Sequence, residues 1–275
     1  MAGWLSSLTG FWGDDGDQIS RSLLQQTISA TVAILFYRSH YLAGNTAPID
    51  ALCAALGERG LTPIALYVAS LREPDVQAEI VALLENLEQP LGAILNTTSF
   101  SLAKLQREAG STETIPLWKS LNVPVLQVIL SGGSREQWQE SLRGLNPRDL
   151  AMNVALPEVD GRIITRAVSF KAVQARHPQL ETEVVIYEPD PDRIAWVAEL
   201  THNLIRCAQT PVENRKIALI LANYPNKDGR LANGVGLDTP ASCIRILQAL
   251  QSEGYDITDI PDSTQALIRQ LTSGI

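Results

Sequence analysis

Short apolar runs alternate with amphipathic stretches through the first half of the chain, and polar turn residues bound each run. Residues 31–37 form a β-branched, aromatic run, and 63–68, 91–95 and 123–130 are its counterparts. Apolar runs this short and so bounded predict buried strands. Between them the apolar positions fall at helical spacing. Pro48 opens a helix with Ile49, Leu52, Cys53 and Leu56 on one face, and Gly60 ends it. Further helices are predicted at 75–87, 101–108 and 135–142, with a helical turn at 117–121. Apolar strands alternating with helices imply a parallel sheet covered on both faces. The expectation is α/β, with a four-stranded, mainly parallel sheet over residues 19–144.

After Asn146-Pro147 the pattern changes. A short helix is predicted at 148–155 and a turn at 156–161. Residues 162–170 and 183–187 alternate, which predicts an antiparallel pair. Pro189-Asp-Pro-Asp192 precedes a long helix to about 208, with Ile194, Val197, Leu200, Leu204 and Ile205 apolar. A third pattern begins at Lys216. Its apolar run 217–221 predicts a strand, and the polar loop 223–238 follows. Thr239 is placed to cap a helix that Pro240 opens and Gly254 stops. A further strand is predicted at 255–260, then one more helix. The stretch repeats the design of the first unit, with strand, polar loop, Thr(-Ala)-Pro and helix. Ala-Leu-x-x-x-Gly ends both helices, at 55–60 and 249–254. Four segments result: a tail (1–18), a first α/β domain (19–145), an α+β connector (146–212) and the truncated start of a second α/β unit (213–275). The last segment reads as too short to complete a sheet, so the chain reads as a slice of a longer subunit. Trp4, Leu5, Leu8, Phe11 and Trp12 would give the tail an apolar face that packs on missing chain.

A net charge of −8 argues against a nucleic-acid partner, because such binding rests on clustered Lys and Arg. Cys53, Cys207 and Cys243 are odd in number and far apart. They form neither a zinc motif nor a disulfide framework, which fits a reducing cytoplasm. No apolar run approaches the about 18 residues a membrane span needs. The 223–238 loop exceeds the about 2–6 residues usual for a strand-to-helix turn. Such a loop is functional or merely solvated. Its Gly234-Val-Gly236 is no dinucleotide fingerprint, because it stands far from the strand and Thr239 occupies the third glycine's place.

Three stretches carry a family resemblance. They are Asn223-Tyr-Pro-Asn-Lys-Asp-Gly-Arg230 with Gly236-Leu-Asp-Thr-Pro-Ala-Ser242, Leu35-Phe-Tyr-Arg-Ser-His-Tyr-Leu-Ala-Gly-Asn45, and Val154-Ala-Leu-Pro-Glu-Val-Asp-Gly161. Together they resemble the large subunits of the cobaltochelatase/magnesium chelatase family. The Asn45 region and the Asn-Tyr-Pro-Asn loop favour the aerobic cobaltochelatase branch. The resemblance implies a subunit that binds a corrinoid ring, hydrogenobyrinic acid a,c-diamide, and cobalt(II) as substrates. It also implies separate ATPase motor subunits as partners. The chain carries no G-x-x-x-x-G-K-[ST] phosphate loop, so ATP is expected to bind elsewhere.

Insertion requires the ring nitrogens to lose protons and the metal to lose water, which a base and an intermediate ligand would serve. His40, in the first strand-end loop, is the candidate base and metal ligand; its ordinary alternative is a histidine bonded within its own loop. Glu158 and Asp160 are candidates for moving protons or passing a cation, or else a structural turn before Gly161. Arg38 and Arg230 suit the ring's acidic side chains, being planar and bidentate. Tyr224 suits the ring face. Asn45, Asn226, Asp228, Asn233 and Asp238 complete the expected ring-binding set. Three readings follow: the ring-binding part of a chelatase, a docking module of the same subunit, and a small-molecule binder of two α/β units.

Overall fold

The structure is a computed structural model that describes residues 28–102, 116–179, 181–222, 234 and 236–273. The expected tail, most of the helix at 101–108, and Tyr224, Asn226, Asp228, Arg230 and Asn233 lie outside the described residues. By contacts the chain divides into two compact units, Met1–Arg206 and Cys207–Ile275.

In the first unit β1 (Thr31–Tyr37) is buried along almost its whole length, because it lies inside the sheet with helices over both faces. A short helix α1 (Arg38–Leu42) and then α2 (Ala47–Gly57) lead to β2 (Thr62–Val68). α3 (Pro74–Glu85) leads to β3 (Leu91–Asn96), α4 (Pro116–Leu121) precedes β4 (Val125–Leu130), and α5 (Arg135–Glu140) follows it. These four strands run parallel, as the apolar runs predict. Their order is β2-β1-β3-β4.

The sheet does not stop there. β5 (Ile163–His177) pairs parallel with β4, and β6 (Thr182–Pro189) pairs antiparallel with β5. One six-stranded sheet results. The strand pair expected in a separate connector at 146–212 therefore extends the first sheet. The reason is burial: Ala167, Val168, Ser169 and Phe170 are enclosed, and a strand so enclosed needs ladder partners on its core side.

Alternation along β1 divides the core. Val32, Ile34 and Phe36 face α2 and α8 (Pro191–Gln209), meeting Leu52, Leu56, Ile194 and Val197. Ala33 and Leu35 face α3 and α4, meeting Ile80, Leu84 and Leu117. Full burial of each such Leu or Ile contributes about 1.5–3 kcal/mol. At Gly92 a Cβ would lie 2.9 Å from both Ala30 Cβ and Ile205 Cδ1. Gly92→Ala is therefore expected to destabilise the chain by about 1–3 kcal/mol through overpacking, measurable by urea denaturation. An unchanged midpoint would mean that Ile205 can move aside.

The second unit is helical among its described residues. α9 (Thr239–Ser252) and α10 (Thr264–Ser273) pack through Cys243, Ile244 and Leu267. The strands expected at 217–221 and 255–260 do not form. Ile217, Leu219 and Ile220 are exposed. A strand needs a ladder partner for its backbone groups, and no other strand is present among this unit's described residues. Asp238, not Thr239, caps α9, accepting from Ala241 N at 3.0 Å. Gly254 follows the helix at φ +91°, a conformation that suits glycine.

Candidate functional site

Strand order and helix placement fix where a crevice opens. The helix after β1 lies on one face of the sheet, and the helices on either side of β3 lie on the other. The switch falls between β1 and β3, and ligands in open α/β sheets bind outside the carboxyl ends of strands at such a point.

The carboxyl ends of β3 and β4 are built from two buried polar networks. In the first, Asn96 Nδ2 donates to Gln127 Oε1 (2.8 Å), and Gln127 Nε2 donates to Thr98 O (2.9 Å). Arg162 donates to the same Gln127 oxygen (2.9 Å), to Phe100 O (3.0 Å) and to Asp160 Oδ2 (2.6 Å). Asp160 also accepts from Ser101 Oγ (2.7 Å) and Leu102 N (2.8 Å). Both side chains of this ion pair are wholly enclosed. Burial lowers the pKa of the Arg162 guanidinium and the Asp160 charge opposes that shift, while guanidinium stays charged throughout.

In the second network Asp149 accepts from Ser131 Oγ (2.7 Å), Gly132 N (3.0 Å), Asn146 Nδ2 (2.9 Å) and Asn153 Nδ2 (3.3 Å). Ser99 Oγ donates to Asn153 Oδ1 (2.6 Å), joining the β3 loop to the helical segment after Pro147. That segment runs α6 (Pro147–Leu150), a π-helical turn Ala151–Ala155 and α7 (Leu156–Val159). Such π turns often occur at functional sites. Phe100 holds φ +68°, left-handed for a bulky residue, with its N–H donating to Met152 O (2.9 Å).

A cavity of about 220 Å³ lies to one side of the switch point, past the end of β4 and beside β5 and β6, lined among others by Ser99, Phe100, Met152, Asn153, Lys171 and Tyr187. A larger one of about 540 Å³ neighbours it, sharing Asn146 and reaching Trp138 and Leu150.

His40 joins this region from α1. Its ring meets Tyr187 edge-on, with centroids 5.0 Å apart, and Lys171 Nζ stands 5.7 Å from the Tyr187 centroid. Burial lowers the His40 pKa from its usual value near 6.5; a hydrogen bond to the Asn45 backbone opposes this and the Lys171 charge adds to it. The imidazole is thus neutral at pH 7, able to take a proton or offer a lone pair. Among the described residues no group of three His, Cys, Asp or Glu side chains converges as a metal site. His40 is a single imidazole, not one of a cluster.

The other expected site residues divide. Arg38 and Glu158 are exposed. Asp160 has no face open to a passing cation, and its role is the buried ion pair. The expected turn at 156–161 begins as helix α7. Asn45 accepts from Tyr187 N (2.9 Å) and donates to Val185 O (3.4 Å), acting as a peptide mimic on the outer edge of β6. Asp238 serves as the α9 cap in the second unit. Lys171, Tyr187, Met152, Asn153 and Arg162 do not stand out in the sequence. A signal existed for the network: Asn96 and Gln127 interrupt otherwise apolar strands, and buried polar groups there must find partners.

The described residues of the first unit define an open, mainly parallel α/β sheet with a polar crevice at its strand ends. The chain belongs to the CobN/Magnesium Chelatase family, whose model matches residues 13–275. It is similar to the aerobic cobaltochelatase subunit CobN of Pseudomonas aeruginosa, with 45% identity over 244 residues, covering 89% of this chain and 19% of that protein. The magnesium-chelatase H subunit of Rhodobacter capsulatus is 27% identical over 253 residues, covering 86% of this chain and 20% of that protein. Among solved structures, the catalytic subunit of cobaltochelatase from Mycobacterium tuberculosis superimposes with a TM-score of 0.74 at 33% identity, covering 90% of this chain and 20% of that one. The chain thus spans about a fifth of the length of these relatives. Among the described residues no helix is long and apolar enough to cross a membrane.

Proposed function

We propose that this chain is part of the large subunit of a cytoplasmic, ATP-dependent cobaltochelatase, which inserts cobalt(II) into the corrinoid ring hydrogenobyrinic acid a,c-diamide. In this reading ATP binds to separate motor subunits, and the strand-end crevice of the first unit takes part in holding the ring. The observation that carries the cobalt branch is the gap in similarity: 45% identity to a cobaltochelatase subunit against 27% to a magnesium-chelatase subunit, over nearly the same stretch. The chemistry of the crevice agrees with that role. A neutral His40 at its rim suits proton removal from a ring nitrogen or brief ligation of an intermediate metal ion. On their residue types, Tyr224, Asn226, Asp228, Arg230 and Asn233 are further ring-facing groups, as is the exposed Arg38.

The test combines the full-length subunit with its motor subunits, ATP and either metal–ring pair, and follows ring absorbance. Cobalt entry into the corrinoid is the expected result, with none from the 275-residue chain and ATP alone. Preferential entry of magnesium into protoporphyrin IX would move the protein to the other branch of the family. Cobalt insertion by the isolated chain would overturn the division of labour.

A further inference from the structure

The cavity of about 220 Å³ in the first unit is small and polar. A tetrapyrrole-sized macrocycle does not fit inside, but one acetate- or propionate-sized arm does.

Charge narrows the choice further. Asp149 is the acidic group in the wall, and it is 4% exposed with its oxygens held by Ser131, Gly132, Asn146 and Asn153. The exposed charges on the wall are both positive, Arg148 and Lys171. Burial and the Asp149 charge raise the pKa of the Tyr187 phenol, with Arg148 opposing, so its hydroxyl stays a neutral donor at pH 7. The Lys171 main chain is anchored, its N–H donating to Gly133 O at 2.9 Å, so the side chain is rooted at the cavity mouth. With Asp149 buried behind its four donors, the charged groups of the wall sum to +1, and both that face solvent are cations; on a protein of net charge −8 this and the phenol mark a local site for an anion.

We infer that this cavity is a carboxylate subsite. Arg148 supplies a planar, two-pronged donor, Lys171 a mobile point charge, and Tyr187 a third donor. Resting on the chelatase reading above, the occupant is one carboxylate arm of the ring, with the macrocycle itself outside. The subsite then selects a ring that still carries free acid side chains over one that is fully amidated.

Two measurements test this. In the first, the chain is titrated with propionate, propionamide and inorganic phosphate at constant ionic strength, and backbone amide shifts are recorded by NMR. Saturable shifts at Gly132, Lys171 and Tyr187 are expected with propionate, and none with propionamide. The Arg148→Met/Lys171→Met double variant should bind propionate at least tenfold more weakly while melting as wild type, since both residues are exposed. Equal shifts with propionamide, an unaffected double variant, or tighter binding of phosphate would each overturn the proposal. In the second, the full-length subunit binds the acid ring and its fully amidated counterpart. Lys171→Met should weaken the first at least tenfold and leave the second unchanged; equal weakening of both refutes the subsite. If wild type binds neither ring, the chelatase reading falls, and the propionate titration still decides whether the cavity takes carboxylates.

Discussion

Replacing Arg162 by Ala is expected to lower the unfolding free energy of the first unit by about 3–5 kcal/mol, the usual cost of stranding one partner of a buried ion pair. Asp160 would keep its bonds from Ser101 and Leu102 but lose the guanidinium 2.6 Å away, in a place with no solvent access. Gln127 Oε1 and Phe100 O would each lose a donor. Arg162→Lys should recover only part of the loss, because an ammonium with three donors cannot span the four acceptors set out for a planar fork, Gln127 Oε1, Thr98 O, Phe100 O and Asp160 Oδ2. The double variant Asp160→Asn/Arg162→Met removes both charges, so it should be less destabilised than the sum of the two single changes by about 0.5–3 kcal/mol. Urea denaturation of wild type, the single variants and the double variant gives all these values. An Arg162→Ala chain within about 1 kcal/mol of wild type would mean that water enters the network and that the pair is not a structural clasp.

This clasp also bears on what the sequence could disclose. The Leu-Pro-Glu-Val-Asp-Gly motif at 156–161 is legible, yet its two acids divide: Glu158 is exposed on α7, while Asp160 closes a network between strand ends. Only the register that sets β5 beside β4 brings Arg162 to Gln127, and no local pattern encodes that pairing. The parallel strands β1 to β4 were legible because each is a short apolar run with turn residues on both sides. β5 and β6 form the antiparallel pair their pattern predicts, but the pattern did not show that β5 also joins β4, for a physical reason. The outer half of β5 is largely exposed, whereas Ala167–Phe170 within the alternating stretch is buried in the sheet on both faces, so one strand spans two environments. The 217–221 run misled in the opposite way, since its apolar pattern suits a strand that has no ladder partner among the described residues. The cavity walls come from the loop after β3, the end of β4, α6, the π turn, β5 and β6, far apart in sequence. Lys171 and Tyr187 meet only through the hairpin register that pairs them directly. The position of His40 just past the carboxyl end of β1 was legible, because it directly follows an apolar run, although it lies on the short helix α1 and not in a loop.

In the full-length subunit, His40→Ala is expected to cut ring affinity or turnover by roughly ten- to a hundredfold. A lost contact to a charged group costs about 1.5–3 kcal/mol, and each 1.4 kcal/mol is a factor of about ten. The fold should survive, since the imidazole is only partly buried and meets Tyr187 and the adjoining loop. Glu253→Ala, on an exposed helix end, should change neither quantity. His40→Gln keeps some hydrogen bonding but offers no base near neutral pH, so it should rescue binding better than turnover if the imidazole moves a proton. The pH profile supplies a sharper check. The folded pKa of His40 lies below its usual value near 6.5, so the neutral base persists below that pH. The acidic limb of turnover should therefore lie below about pH 6.5 and vanish with the imidazole. Stability carries the same sign. With a depressed folded pKa, the unfolded chain binds the proton first, so the His40 contribution is present above the unfolded pKa and is lost as pH falls through the folded one. Thermal melts between about pH 7 and 5 should then decline less steeply for His40→Gln than for wild type. Wild-type turnover in both variants, with normal melts, would leave the first loop no part in holding or reacting with the ring.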